Sequence, residues 1–375
     1  MTTGGVSAPA YFYSPLKQII AGIPWELVTK TVELDGGALP DFAKRNERRP
    51  SYHVGTNPYA YVLVAEEACV NAGVELHYHE LVESIEDRNG AWLVTTCGKD
   101  VKGEITCKEV IDCTGDADVV RMLGLACTRD ETRQPGTLEY RLGGYDIDSL
   151  DADEIQTRYE KALAEGTLAH GDFCYANQPF MQFLRRGGGN QQHVFGADTS
   201  TSRTQTDASV RARASLLRTL RFVKSLAGCE NARIQKMCTY CTARDTYRIV
   251  GEATITYDDY MSARRFDDAV CYTLYFIDVH NEEGTHHEFL PPEKVPTIPF
   301  GALIPEGSKR VLAAGRILSS DRLAHSALRV EASCMAMGQV VGAAAALGSQ
   351  RGVASRDVPL DDLRALLREH AAIVP

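Results

Sequence analysis

Two short apolar runs that each end on a glycine constrain this 375-residue chain more than any other feature in it. Val110-Ile111-Asp112-Cys113 runs into Thr114-Gly115-Asp116, after which Ala117 to Leu123 carries helical spacing and Gly124 closes it. Far downstream, Arg310 to Ala314 ends on Gly315-Arg316, and an Ala/Gly/Met-rich helix is predicted from Ser326 to Leu347, with Gly338 and Gly342 one turn apart. A buried strand that stops at a glycine beside a helix N-terminus offers backbone N–H groups and a positive dipole end, which suits an anionic or phosphate-bearing cofactor. One such turn alone is commonly structural. Two strand ends that aim glycine at one place carry information.

Between these runs the patterning changes. Pro58 to Ala72 has helical spacing stopped by Gly73, Val74 to Val82 alternates as a strand, and Ala91–Thr96 and Glu104–Cys107 add two more strands across Arg88-Asn89-Gly90 and Gly98-Lys99-Asp100 turns. The middle carries a polar helix over Asp153–Glu165, a flexible run Arg185–Asn190, and a long basic amphipathic helix over Ser209–Leu226 whose charges read as a solvated face. Glu252–Tyr257 and Ala269–Val279 read as strands, Pro291, Pro292 and Pro296 as a linker, and Pro359–His370 as a final amphipathic helix.

Four blocks in order carry a family likeness: VIDCTGDADVVRMLGL over 110–125, TARDTYRIVGEAT over 242–254, FIDVH over 276–280, and the stretch over 298–347 that contains AGR and ALRVEASCMAMGQVVG. In order and approximate spacing they resemble the FAD-dependent oxidoreductase family, over most of the chain. The resemblance implies an α/β protein, a glutathione-reductase-like, Rossmann-like FAD domain built from 1–130 and 297–375, with an inserted α+β substrate domain over 131–296. It implies that Val82 approaches the adenine, that Thr114, Gly115 and Asp116 lie along the ribose-pyrophosphate side, and that Gly315 and Arg316 sit near the pyrophosphate and ribityl chain. It further implies that Met337, Gly338 and Gln339 form a helix N-terminal turn beside the flavin, where a dipole would stabilise the charge that reduction develops. Cys113, Ala117 and Tyr247 depart from the family text, which has Ala, Gly and Arg there; the last bears on substrate.

The family also begins with a strand, G-x-G-x-x-G and helix. No G-x-G-x-x-G occurs in this chain, and Met1-Thr2-Thr3-Gly4-Gly5 resembles the Gly-Gly segment that follows it, so the expectation is an FAD domain lacking its first βαβ unit, about 30 or more residues. Two readings stay open: a flavoenzyme recorded from an internal methionine, or a split, non-catalytic subunit that binds FAD weakly or with a partner chain supplying the missing strand. For the enzyme, the expected chemistry is transfer of a hydride or electron pair between flavin and a small, carboxylate-bearing organic substrate.

Site candidates follow from chemistry. Arg244 and Arg248 could grip a carboxylate or form structural salt bridges with Asp245 or Glu252; His280 could move a proton near neutral pH or be a satisfied buried histidine. His325 and Arg329 lie near the predicted AGR turn. Cys238-Thr239-Tyr240-Cys241 lacks the second pair a zinc site needs and reads as ordinary thiols, with redox exchange with a flavin as the open alternative, and His77, His79, His286 and His287 suggest at most a weak adventitious metal site. No G-x-S-x-G supports a serine triad. Lys and Arg total 40 against 50 Asp and Glu, a formal charge of −10 without a basic block, which argues against nucleic acid. No run approaches the ~18 uninterrupted apolar residues of a membrane span, and the eleven cysteines are too dilute for a disulfide scaffold, so a cytoplasmic protein without membrane partners is expected, as a homo-oligomer or otherwise.

Overall fold

The two glycine-terminated strands pair. Val110–Asp112 and Val311–Ala313 run parallel in register, Val110 opposite Val311 and Asp112 opposite Ala313. Parallel strands need a long crossover, and here almost two hundred residues intervene, so this pairing is a tertiary event that no local signal specifies. The computed structural model describes residues 10–44, 53–174 and 178–375. The expected Gly-Gly segment at Met1–Gly5 lies outside them.

The fold is mixed α/β and divides into two units. Among the described residues the larger takes 10–129, 247–277 and 288–375, and the smaller takes 130–246 and 278–287. Residues 247–277 and 288–296, expected in the inserted domain, therefore group with the larger unit.

In the larger unit, the helix Pro58–Asn71 is capped by Asn57, whose side chain accepts from Tyr59 N. A three-stranded antiparallel meander follows, Leu81–Arg88, Ala91–Gly98 and Val101–Cys107. The alternation over 74–80 does not form a strand. Residues 74–79 are all exposed, so the pattern has no core to face, and pairing starts only where Leu81 meets Cys97. Behind the parallel pair, Ala117, Val120, Ile249, Val311, Ala313 and Ile317 form a buried cluster. Glu252–Tyr257 is not a strand. Thr256 and Asp259 instead make a capping box for the helix Tyr257–Ser262, with Thr256 Oγ1 accepting from Asp259 N at 3.1 Å. Ala269–Val279 divides between two strands, Ala269–Tyr272, which pairs with Thr297–Pro299 here, and Ile277–Asn281, which pairs with Gly284–Glu288 in a hairpin that falls, but for its end residues, in the smaller unit.

The predicted helix over 326–347 is two, Arg322–Leu328 and Glu331–Arg351, separated by extended Val330. The second has the length and apolar composition of a membrane span, but half of its most apolar window is buried in the protein, including Ala332, Met337, Val340 and Ala344. It is a core helix.

In the smaller unit, the strand Tyr140–Gly143 lies between Gly188–Gly189 and Arg233–Met237. Helices Ala152–Ala164, Phe180–Arg186 and Ser202–Lys224 accompany it, around stacked Tyr159, Phe180 and Phe183 and edge-on Phe173. The glycine run expected to be flexible is structural: a Cβ on Gly188 would lie 2.5 Å from the Tyr140 ring, so only glycine allows the strand to close over it.

Candidate functional site

In the larger unit the parallel pair delivers its two turns through Asp112. This fully buried carboxylate accepts from Thr114 N at 3.0 Å and Thr114 Oγ1 at 2.7 Å with one oxygen, and from Val120 N at 3.1 Å with the other. It ties the strand end to the helix Asp118–Met122 and leaves Gly115 to turn the chain at φ +82°, a conformation L side chains resist. The Arg316 guanidinium covers that turn, so that a Cβ on Gly115 would lie 2.6 Å from Nη2. Arg316 Nη2 stands 4.0 Å from Asp116 Oδ1, while its Nε is buried without a hydrogen-bond partner among the described residues.

Gly315 turns at φ +88°, and among the described residues no atom outside its chain neighbours lies within 4 Å of the position its Cβ would take; beyond their own helix backbone the same holds for Gly338 and Gly342. The backbone there borders open space. Met337, Gly338 and Gln339 lie beyond the first turn of Glu331–Arg351 and so do not form the helix N-terminus expected of them. Met337 is fully buried, and Gln339 Nε2 donates to His370 O at 3.1 Å. Val82 sits in the meander at a register shift between Val82 and Ser84.

Beside Arg316 the unit holds buried positive charge. His325 Nε2 donates to Arg316 O at 2.7 Å, which fixes its tautomer and leaves Nδ1 as a buried lone pair without a partner among the described residues. Burial, with the charges of Arg248 and Arg329, holds His325 neutral well below the usual histidine range. Arg248 is 2% exposed and donates from Nε to Ser320 O at 3.0 Å; Arg329 caps Arg322–Leu328 and is also buried. Glu252, offered as a partner for Arg248, pairs with Arg356 at 2.6 Å.

The smaller unit holds the other candidates. Arg244 Nη1 donates to Pro135 O at 2.5 Å and Thr137 Oγ1 at 2.8 Å, and Nη2 to Asn190 Oδ1 at 2.7 Å, so these donors brace the unit's own residues, one backbone carbonyl and two side chains. His280 belongs to a buried chain. Its Nε2 lies 3.1 Å from Asp278 Oδ2, and its Nδ1 lies 2.8 Å from His193 Nε2. His287 Nε2 approaches Asp278 Oδ1 at 3.1 Å. Of these four, sequence patterning singled out only His280 as a site candidate. Asp278 precedes it by two on one strand and so shares its face, a signal that was present and unused; His193 gives none. Cys238 and Cys241 are buried and form no disulfide, and burial pushes Cys241 up to about 11, so it is not a thiolate at neutral pH. No cluster of three or more metal-ligating side chains occurs among the described residues.

A family model described as FAD dependent oxidoreductase matches residues 1–367. No curated protein matches the sequence. Among solved structures, the anhydrotetracycline hydroxylase OxyS from Streptomyces rimosus aligns at 11% identity and a TM-score of 0.42, covering 94% of this chain and 57% of its own. The p-nitrophenol 4-monooxygenase PnpA from Pseudomonas putida DLL-E4 aligns at 14% identity and a TM-score of 0.37, covering 96% and 68%. Likenesses this slight add nothing to the reading of the site. The chain spans little more than half the length of the first of these.

Proposed function

Because this chain belongs to the FAD dependent oxidoreductase family, we propose that it removes an electron pair, as hydride, from a small, carboxylate-bearing organic substrate. Bound FAD supplies the two-electron acceptor for that hydride. The observation that carries the reading is the paired glycine turn: backbone at Gly315 and Gly338 that is open among the described residues lets a flat or phosphorylated group approach, and the buried Arg316 Nε offers a charged donor without an acceptor among those residues. Thr114, Gly115, Asp116, Gly315 and Arg316 would hold the pyrophosphate and ribityl portion, and Gly338 would line the flavin side. Two positive charges beside His325, Arg248 and Arg329, favour an anionic substrate within an acidic protein. Loss of a hydride from carbon leaves a proton to be removed, so the reaction also needs a base.

The test is an anaerobic screen. The full chain, reconstituted with FAD, is mixed with small hydroxy acids, amino acids and their decarboxylated or esterified counterparts while the yellow absorbance is followed. Bleaching by carboxylates and not by their esters is the expected result. Failure of the chain to retain FAD, or bleaching indifferent to the carboxylate, would overturn the reading.

A further inference from the structure

His325 holds the carbonyl of the residue whose side chain covers the Gly115 turn. Its Nε2 donates to Arg316 O at 2.7 Å, and the residue is 1% exposed. A carbonyl only accepts, so the proton of the neutral ring sits on Nε2 and Nδ1 carries the lone pair. The ring is placed by its own helix. Asp321 caps Arg322–Leu328, its Oδ1 accepting from Ala324 N at 2.8 Å and its Oδ2 from Tyr257 N at 2.5 Å, and His325 N donates to Asp321 O at 3.0 Å. The helix is thus anchored at its start, and His325, one turn later, reaches back to the strand end. On the strand side, Ala314 N donates to Asp112 O at 3.1 Å. Arg316 therefore leaves the parallel pair with its carbonyl fixed and its guanidinium laid across Gly115, where Nη2 stands 4.0 Å from Asp116 Oδ1. Every one of these residues belongs to the larger unit.

We infer that His325 is a positioning residue for the cofactor: by holding the Arg316 carbonyl it sets the Arg316 guanidinium over the Gly115 turn as a ready donor to the anionic part of FAD. The role needs no contact between His325 and a ligand, which suits a ring this buried. It needs a ring that donates from Nε2 and does not ionise. The charges acting on His325 are those of Arg248, Arg329 and Arg316, all positive, and together with burial they hold it neutral well below the usual histidine range. A protonated ring would add a further positive charge to that group. Its Nδ1 is buried without a partner among the described residues, so the single bond from Nε2 is what the ring contributes there.

The inference rests on FAD being held at the paired turn, so its test has an arm independent of the cofactor. In the FAD-free full chain labelled with nitrogen-15 at histidine, His325 is expected as the neutral Nε2–H tautomer between about pH 5 and about pH 8. A Nδ1–H tautomer or an imidazolium in that range overturns the inference. The binding arm is a fluorescence titration with FAD, beside urea melts that show each variant folded. His325→Leu should weaken FAD binding by about tenfold or more, and His325→Gln, whose amide can donate from nearly the same place, should stay within about threefold of the parent. Should His325→Leu fail to fold, His325→Asn, whose amide falls short of Arg316 O, takes its place. In an Arg316→Ala background the His325→Leu change should weaken FAD by less than about threefold, because the group it positions is gone. An equal loss in both backgrounds, unchanged affinity in His325→Leu, or a His325→Gln as weak as His325→Leu overturns the inference. A parent chain that takes up no FAD overturns the cofactor reading instead, and the tautomer arm still decides whether His325 holds Arg316.

Discussion

Gly315→Ala separates the cost of a strained turn from the cost of a filled cradle. Gly315 sits at φ +88°, where an L residue is disfavoured by about 1–2 kcal/mol. Among the described residues its Cβ would meet no atom within 4 Å beyond its chain neighbours, so no steric term from them adds to that. The FAD-free protein should therefore lose about 1–2 kcal/mol, which at a urea slope of roughly 2 kcal/mol/M moves the midpoint down by about 0.5–1 M. If the cofactor approaches this backbone, the added methyl occupies its space, and FAD affinity should fall more than about tenfold, or about 1.4 kcal/mol beyond the stability loss. Gly115→Ala is the comparison. Its φ of +82° carries a similar backbone cost, and its Cβ must also displace Arg316 Nη2 from 2.6 Å, so its FAD-free stability should fall further than that of Gly315→Ala. Urea melts without FAD and fluorescence titration with FAD give both quantities for both variants. A Gly315→Ala protein that binds FAD with unchanged affinity would refute the placement of the cofactor at this turn.

Arg244→Ala should destabilise the smaller unit by about 3 kcal/mol, since Pro135 O, Thr137 and Asn190 all lose a charged donor; a urea midpoint within error of the parent would show that these bonds are not made. Asp112→Asn should cost about 2 kcal/mol and loosen FAD together, because one of three buried donors at Thr114 and Val120 loses its acceptor; calorimetry with and without FAD checks it. Stability should fall as pH drops from 6.5 towards 5. His193 and His325 are both held below the usual histidine value, so the unfolded chain binds protons in that window that the folded chain refuses, at about 1.4 kcal/mol per histidine per pH unit. Urea melts across that range measure the slope, and His193→Gln should remove one proton from it; an unchanged slope would contradict the burial of a neutral His193.

What was legible in the sequence was whatever a single segment decides. The Asn57-capped helix, the hairpin turns at Asn89-Gly90 and Asp100, and both glycine-ended strands are local chemistry. The failures share a cause as well. Alternation over 74–80 predicts a strand only if one face has a core to meet, and exposure there shows that none does. Gly187-Gly188-Gly189 looks like a hinge by composition, yet the Tyr140 ring, some forty-eight residues earlier, is what demands the missing side chains. Thr256 and Asp259 spell a helix start that β-branched neighbours obscured.

The same distinction separates the glycine turns of the larger unit from the histidine chain of the smaller one. The glycine turns announce themselves because the requirement they meet, a left-handed backbone with no Cβ in the way, is a requirement on residue type at one position. The histidine chain makes no such demand on any single residue. His193 follows a stretch that pairs with nothing of regular period, reaching His280 only because Val194 bridges Gly136 and His193 N donates to Gly171 O at 2.8 Å. A hydrogen-bonded row assembled from segments this far apart in sequence is invisible to motif reading, and is recoverable only by counting donors and acceptors in the folded protein.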